Sequence, residues 1–139
     1  MSHSVLILKF LLRLAGAVML LAVGAVLMPR SWMAAAHQWL KLGPFPDGPI
    51  VVYLARSVSA FYAATGGLLL LVSRDLRRYA PVVAYFALAG ILFGIAICTI
   101  DFMIGLPAWW TVGEGLSLFP LCIIVLALQW RIRRARRAS

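Results

Sequence analysis

The chain has 139 residues, of which 64% are hydrophobic and 12% are charged, and its formal net charge is +9. In a soluble domain about half of the residues are apolar and about a quarter are charged, so the composition excludes that class. It is typical of a polytopic integral membrane protein. Its two cysteines, Cys98 and Cys122, lie in different apolar stretches, where a buried thiol is more common than a structural disulfide.

Four apolar stretches predict transmembrane helices. They are residues 5–28, 50–72, 80–104 and 110–130. Each is long enough to cross a hydrocarbon layer of about 30 Å as a helix that rises about 1.5 Å per residue. The first stretch has the basic start of a signal peptide, but no small-x-small cleavage site follows it, and we expect it to be retained as a span. The sequence therefore predicts an all-α fold, a four-transmembrane-helix bundle that forms one integral membrane domain over residues 1–139.

A short amphipathic helix is predicted over residues 31–42, directly after the first span. One face of this helix is apolar and carries Trp32, Met33, Ala36, Trp39 and Leu40, whereas the other carries His37, Gln38 and Lys41. The pattern predicts an interfacial helix on the outer face of the membrane. No second histidine follows His37 at the helical spacing of a metal site, so we expect no metal and no cofactor here.

The second and third spans carry small residues at four-residue spacing. In the second span these are Ala55, Ser59, Ala63 and Gly67, and in the third they are Gly90 and Gly94, with Cys98 following at the same interval. Such stripes allow helices to approach closely in lipid, and they predict the helix-packing faces. Pro120 in the fourth span predicts a kink.

The basic residues predict the orientation of the chain. Ten of its 13 lysines and arginines fall at the N-terminus, in the turn between the second and third spans, and in the tail over residues 131–139. By the positive-inside rule these segments lie in the cytoplasm, which places both termini of a bacterial inner-membrane protein on that side. Because the tail directly follows a span, we interpret it as an anchor to anionic lipid and not as a nucleic-acid-binding segment.

Three ionisable residues form the candidate site. Arg56, Asp101 and Glu114 fall near the outer ends of three different spans, at one predicted depth. We expect Arg56 to pair with one or both carboxylates, since charges are costly near hydrocarbon. The cluster is either a structural ion clasp or a ligand pocket, in which case four aromatic residues line it: Tyr53, Tyr62, Trp109 and Trp110. No complete catalytic motif accompanies it, so no catalytic residue is assigned.

Three segments carry a family resemblance. The second span reads ARSVSAFYAATGGLLLL, the basic turn contains DLRRY, and the outer loop contains GLPAWW. In this order, over residues 50–115, they resemble small four-helix bacterial membrane proteins of the DoxX-like type. The resemblance implies a four-helix bundle and assigns no activity.

Three functions are consistent with these features. The first is a non-enzymatic accessory or oligomeric subunit of the inner membrane, packed through the small-residue stripes, whose partners are membrane lipids, further copies or subunits of a membrane complex. The alternative is a lipid-handling protein or enzyme that binds a polyprenyl, quinone or sterol-like molecule in an outer-leaflet pocket around Arg56, Asp101 and Glu114. A small transporter ranks third, because neither carboxylate lies at the membrane midplane. Nucleic acid is not an expected partner.

Overall fold

The computed structural model describes residues 3–137, and it is all-helical over that range, as the sequence predicts. Its elements are α1 (His3–Leu20), α2 (Val23–Leu27), α3 (Arg30–Trp39), α4 (Pro49–Val72), α5 (Ala80–Ile104), α6 (Ala108–Thr111), a π-helical segment (Val112–Leu116) and α7 (Leu118–Arg137). The last two residues of the predicted tail lie outside the described residues.

Four helical segments are long and apolar enough to cross a membrane. They are His3–Leu27, which joins α1 and α2, Pro49–Val72, Ala80–Ile104 and Ala108–Ala135. A helix satisfies its backbone hydrogen bonds internally, which is the requirement that hydrocarbon imposes on a spanning segment. The short helix predicted between the first two spans is also present as α3, although it ends at Trp39 and not at residue 42.

The chain divides into two compact units, and the first of them comprises residues 3–11 and 72–137 of the described chain. In this unit α5 and α7 pack antiparallel. A Cβ added to Gly90 would lie 2.7 Å from the Cys122 sulfur, and one added to Gly94 would lie 3.2 Å from the Gly115 carbonyl oxygen. Glycine is therefore needed where the two helices approach most closely. The core of the unit consists of Leu8, Val72, Ser73, Val83, Ala87, Cys122, Val125 and Leu128.

A tight turn connects α4 to α5. The Asp75 carboxylate oxygen Oδ1 accepts hydrogen bonds from the backbone N–H groups of Arg77 and Arg78, each at 3.0 Å, and the Asp75 carbonyl accepts one from Tyr79. The N–H of Arg78, with that of Arg77, lowers the pKa of the Asp75 carboxyl below its usual value, because both bonds favour the ionised form. The Asp75 side chain thus closes the turn that the charged sequence DLRRY predicts.

The C-terminal end of α5 is closed by Gly105. This residue has φ of 71°, in the left-handed region, and the N–H of Leu106 donates to the Asp101 carbonyl at 3.0 Å. The pattern is that of a Schellman motif, in which glycine at the left-handed position satisfies the last carbonyls of a helix. Pro107 is the N-cap of α6, and α5 ends at residue 104, which is also the end of the predicted third span.

The second unit comprises residues 12–71. Here α1 and α4 approach most closely at two glycines, because a Cβ on Gly66 would lie 2.6 Å from the Gly16 carbonyl oxygen. Farther along, α2 ends at Leu27, and its C-cap residue, Met28, has an extended backbone (φ −65°, ψ 131°). The following proline, Pro29, accounts for this conformation, since a proline disfavours the helical region in the residue before it.

The connection from α3 to α4 folds back onto α3. His37 Nδ1 lies 2.9 Å from the Gly43 carbonyl oxygen, and the His37 ring packs edge-on against Phe45 at 5.6 Å between centroids. Because a carbonyl can only accept, Nδ1 carries the proton in this bond. Arg30 also forms a salt bridge with Asp47. The Arg30 side chain is 52% exposed, and that of Asp47 is 98% exposed. A pair that exposed contributes little to stability.

Candidate functional site

Asp101 is a buried carboxylate near the C-terminal end of α5. Its residue is 3% exposed, and its Oδ2 has no hydrogen-bond partner among the described residues. It follows Gly94 and Cys98 at helical spacing, and both of those residues face the segment that precedes α7. Burying a carboxyl oxygen without a hydrogen bond costs about 1–3 kcal/mol, and the cost is higher when the carboxyl is ionised. A donor from a bound molecule or a partner helix would relieve that cost.

Glu114 lies in the π-helical segment, Val112–Leu116, which packs against α5 in the same unit as Asp101. The wide turn is closed by the N–H of Ser117, which donates to the Val112 carbonyl at 3.1 Å, and the Ser117 hydroxyl donates to the Gly113 carbonyl at 2.6 Å. The Glu114 side chain is half-buried. Single π-helical turns are rare and are often found at functional sites.

The sequence contains a signal for this irregular turn. Glu114 stands between two glycines, and a bulkier residue at Gly115 would collide with the Cys98 sulfur. Pro120 has no N–H, so the Leu116 carbonyl has no α-helical partner four residues later. The kink predicted at Pro120 stays a prediction. The irregular turn precedes the proline, which occupies the first turn of α7, where its N–H is not required.

Trp109 and Trp110 lie on α6, directly before the π-helical segment. Their rings meet edge to face, with centroids 5.7 Å apart and an interplanar angle of 76°. Trp109 is 49% exposed, and Trp110 is half-buried. Together with Asp101 and Glu114, they place four of the predicted site residues in the first unit. Two of the predicted aromatic residues belong to the second unit, where Tyr53 is exposed and Tyr62 is half-buried.

Arg56 belongs to the second unit, and its guanidinium contacts the backbone where α2 ends. Its Nη2 donates to the Met28 carbonyl at 3.2 Å. That carbonyl precedes Pro29 and lies outside the helical hydrogen-bond ladder, which makes it available to a side-chain donor. Sequence reasoning missed this bond, although the proline was its signal. The pairing of Arg56 with Asp101 or Glu114 stays a prediction.

The predicted packing stripes have different surroundings. On α4, Ala63 is buried, Ala55 and Ser59 are half-buried, and a Cβ on Gly67 would meet nothing within 4 Å. The close helix contact on α4 falls at Gly66, one residue before the predicted Gly67. On α5, Gly90 and Gly94 both lie against the antiparallel α7 or the segment before it.

The described residues contain no group of three side chains suited to hold a metal ion. Cys98 and Cys122 are both free thiols. The ionisable side chains of the candidate site in the first unit are the buried Asp101 and the half-buried Glu114.

Four spanning helices with an apolar exterior and a buried carboxylate near the end of one span define an all-helical, multi-pass membrane protein. Comparison of the chain with family models, curated proteins and solved structures gives no match. The resemblance to the DoxX-like type therefore stays a prediction.

Proposed function

We propose that the chain is a bacterial inner-membrane protein with both termini in the cytoplasm. Support comes from the first unit, in which the start of α1, the turn after α4 and the end of α7 line one cavity, so that basic residues of all three segments lie at one end. Such residues are retained on the cytoplasmic side. A periplasm-active reporter fused after Ser139 should give no signal, whereas one inserted at Gly43 should be active. The reverse pattern would contradict this orientation.

Its function, in our proposal, is that of a non-enzymatic subunit that associates with copies of itself or with other membrane helices. The observation that carries this proposal is the low burial of the spans, since only 11–22% of an 18-residue apolar window in each span is buried within the chain. Small residues on the uncovered part of α4, above all Gly67 with its open surroundings, allow a further helix to approach closely.

The proposal is tested by filling the open position. Gly67→Leu adds a large side chain where the chain itself has space, so it should leave the isolated protein folded and reduce its association at least fivefold. Ala96→Leu is the matched control, because Ala96 is an exposed small residue of α5 outside both stripes. Association is measured in native membranes with a chemical crosslinker that joins neighbouring chains without forming a disulfide bond. Equal crosslinking of both variants and the unaltered protein would contradict association through α4.

A second candidate function is lipid handling, and one specific observation favours it. The buried Oδ2 of Asp101 has no partner among the described residues, and it lies on the helix against which the π-helical segment with Glu114 packs. It would accept a hydrogen bond from a polyprenyl, quinone or sterol-like molecule that carries a hydroxyl group. The exposed Trp109 offers an apolar surface to the same molecule. The proposal concerns binding, and no turnover is assigned to these residues.

Mass spectrometry of an organic extract of the purified protein tests this candidate. A molecule of that class should accompany the unaltered protein in near-stoichiometric amount and should be lost from Asp101→Ala. Asp47→Ala is the control, since it removes a surface carboxylate that is 98% exposed. Extracts that contain only bulk phospholipid in all three samples would contradict lipid handling at Asp101.

A further inference from the structure

A cavity of about 170 Å³ opens at the basic end of the first unit. The starts of α1 and α5, the turn between α4 and α5, and the end of α7 form its walls. Four of its lining side chains are cationic, namely Lys9, Arg74, Arg77 and Arg133. The start of α1, the turn between α4 and α5 and the end of α7 thus each contribute at least one cationic side chain to the cavity.

Asp75 is the one carboxylate that lines the cavity, and its side chain is engaged in the turn and does not neutralise the cationic side chains. Its Oδ1 accepts the backbone N–H groups of Arg77 and Arg78, and it thereby closes the turn. The side chains of Arg74, Arg77 and Arg133 are exposed at the cavity mouth, and Lys9 is half-buried. The cavity therefore presents a net positive charge to any ligand that enters it.

The cavity has one uncharged polar side chain in its lining, and a hydrogen bond holds that side chain in place. Gln129, which is 6% exposed, lines the cavity and is held by a 2.8 Å hydrogen bond from its Nε2 to the Ala80 carbonyl. Ala80 is the first residue of α5, a helix of 25 residues whose N-cap, Tyr79, provides no side-chain hydrogen bond. The positive end of an uncapped helix favours an anion close to it.

The surroundings of the cavity are apolar. Val5, Leu8 and Ile132 contribute to its wall, and the adjoining surface of α1 exposes Leu6, Ile7 and Phe10 to 49%, 48% and 63%. A soluble anion gains no binding free energy from contact with an apolar surface, whereas acyl chains pack against it favourably. Cationic groups at the mouth with apolar side chains beside them match a phospholipid, which combines a charged phosphate with hydrocarbon.

We propose that this cavity binds the phosphate headgroup of an anionic phospholipid, with the acyl chains along the exposed face of α1. The bound chemistry is a phosphate ester, and the membrane is its source. The site lies at the opposite end of α5 from Asp101, so it is distinct from the candidate site above. It requires only that the chain spans a membrane, and it stands whether or not the protein associates with partners.

The test compares two double variants of equal charge. Arg77→Gln with Arg133→Gln removes two lining arginines, whereas Arg78→Gln with Arg131→Gln removes two exposed arginines of the same segments that do not line the cavity. Full-length protein is transferred from micelles that contain equal amounts of dioleoyl phosphatidylglycerol and dioleoyl phosphatidylcholine, and retained lipid is counted by native mass spectrometry. Thermal unfolding of each variant verifies that it is folded.

Unaltered protein should retain phosphatidylglycerol in preference to phosphatidylcholine. The lining variant should lose that preference by about tenfold or more, since each basic residue near an anionic headgroup contributes substantially to binding. The control variant should change it less than about threefold, because its two arginines do not line the cavity. If both variants lose the preference for phosphatidylglycerol equally, the lipid binds to the basic surface as a whole and not in the cavity, and the proposal is overturned. Displacement of the lipid by millimolar glycerol 3-phosphate or inorganic phosphate would overturn the assignment to the membrane.

Discussion

Gln129 of α7 donates a hydrogen bond from its Nε2 to the backbone carbonyl of Ala80, at 2.8 Å, and so joins two residues 49 positions apart. Farther along the same two helices, Gly90 lies against Cys122, and Cys98 against Gly115. A part-buried hydrogen bond at one end and close small-residue contacts beyond it fix a single antiparallel register, because sliding either helix would separate all of them.

Replacing Gln129 with leucine should destabilise the protein by about 0.5–1.5 kcal/mol, the usual net contribution of one intramolecular hydrogen bond. The side chain is of similar size and stays buried, so the loss reports the bond and not a cavity. Thermal unfolding in mild detergent measures the change. Gln38→Leu, at an exposed position of α3, is the control and should leave the transition within experimental error.

Gly66→Ala should be costly and Gly67→Ala should not. A methyl group on Gly66 would lie 2.6 Å from the Gly16 carbonyl oxygen and 2.7 Å from the Leu20 nitrogen, which are backbone atoms that cannot rotate away. We expect a loss of about 1–3 kcal/mol, the usual cost of overpacking.

A methyl group on Gly67 meets nothing within 4 Å, and alanine favours helix over glycine, so that variant should be neutral or slightly more stable. The two unfolding transitions, measured side by side, differ only in the position of one methyl group. A larger loss of thermal stability for Gly67→Ala than for Gly66→Ala would contradict a contact between α1 and α4 at Gly66.

Asp75→Ala should lower the thermal stability of the protein at neutral pH, because it removes the acceptor of two backbone N–H groups in the turn. The pKa of the Asp75 carboxyl is lowered by those bonds, so its stabilising contribution is present above its unfolded value, about 3.9, and is lost as the pH falls through the folded value. The difference between Asp75→Ala and the unaltered protein should therefore shrink below about pH 4. A difference independent of pH would assign the effect to the neutral side chain.

The sequence predicted the helical elements well, because spanning length and apolar composition dictate them in a membrane. The predicted third span, 80–104, matches α5 at both ends, since Pro81 marks its start and Gly105 its end. The predicted interfacial helix was too long. Lys41 adopts a left-handed conformation, with φ of 55°, which its side chain gives no reason to expect.

Tertiary detail was less accessible to sequence reasoning. A four-residue interval marked Gly67, yet the first helix contacts Gly66, because the rotation of a helix depends on its neighbours and not on its own small residues alone. The contact of Arg56 with the Met28 carbonyl depends on a break in another helix. The π-helical segment likewise depends on the joint effect of Gly113, Gly115 and Pro120, which single-residue propensities do not combine.

The mass of the protein solubilised from its own membrane in mild detergent tests association most directly. One chain has a mass of 15.2 kDa, so a homo-oligomer would give a whole-number multiple, and a membrane complex would give fixed additional subunits. We predict a stoichiometric assembly of one of these two kinds, reduced by Gly67→Leu and kept by Ala96→Leu. A single chain at every concentration, with lipid but without a further polypeptide, would contradict the proposed function as a subunit.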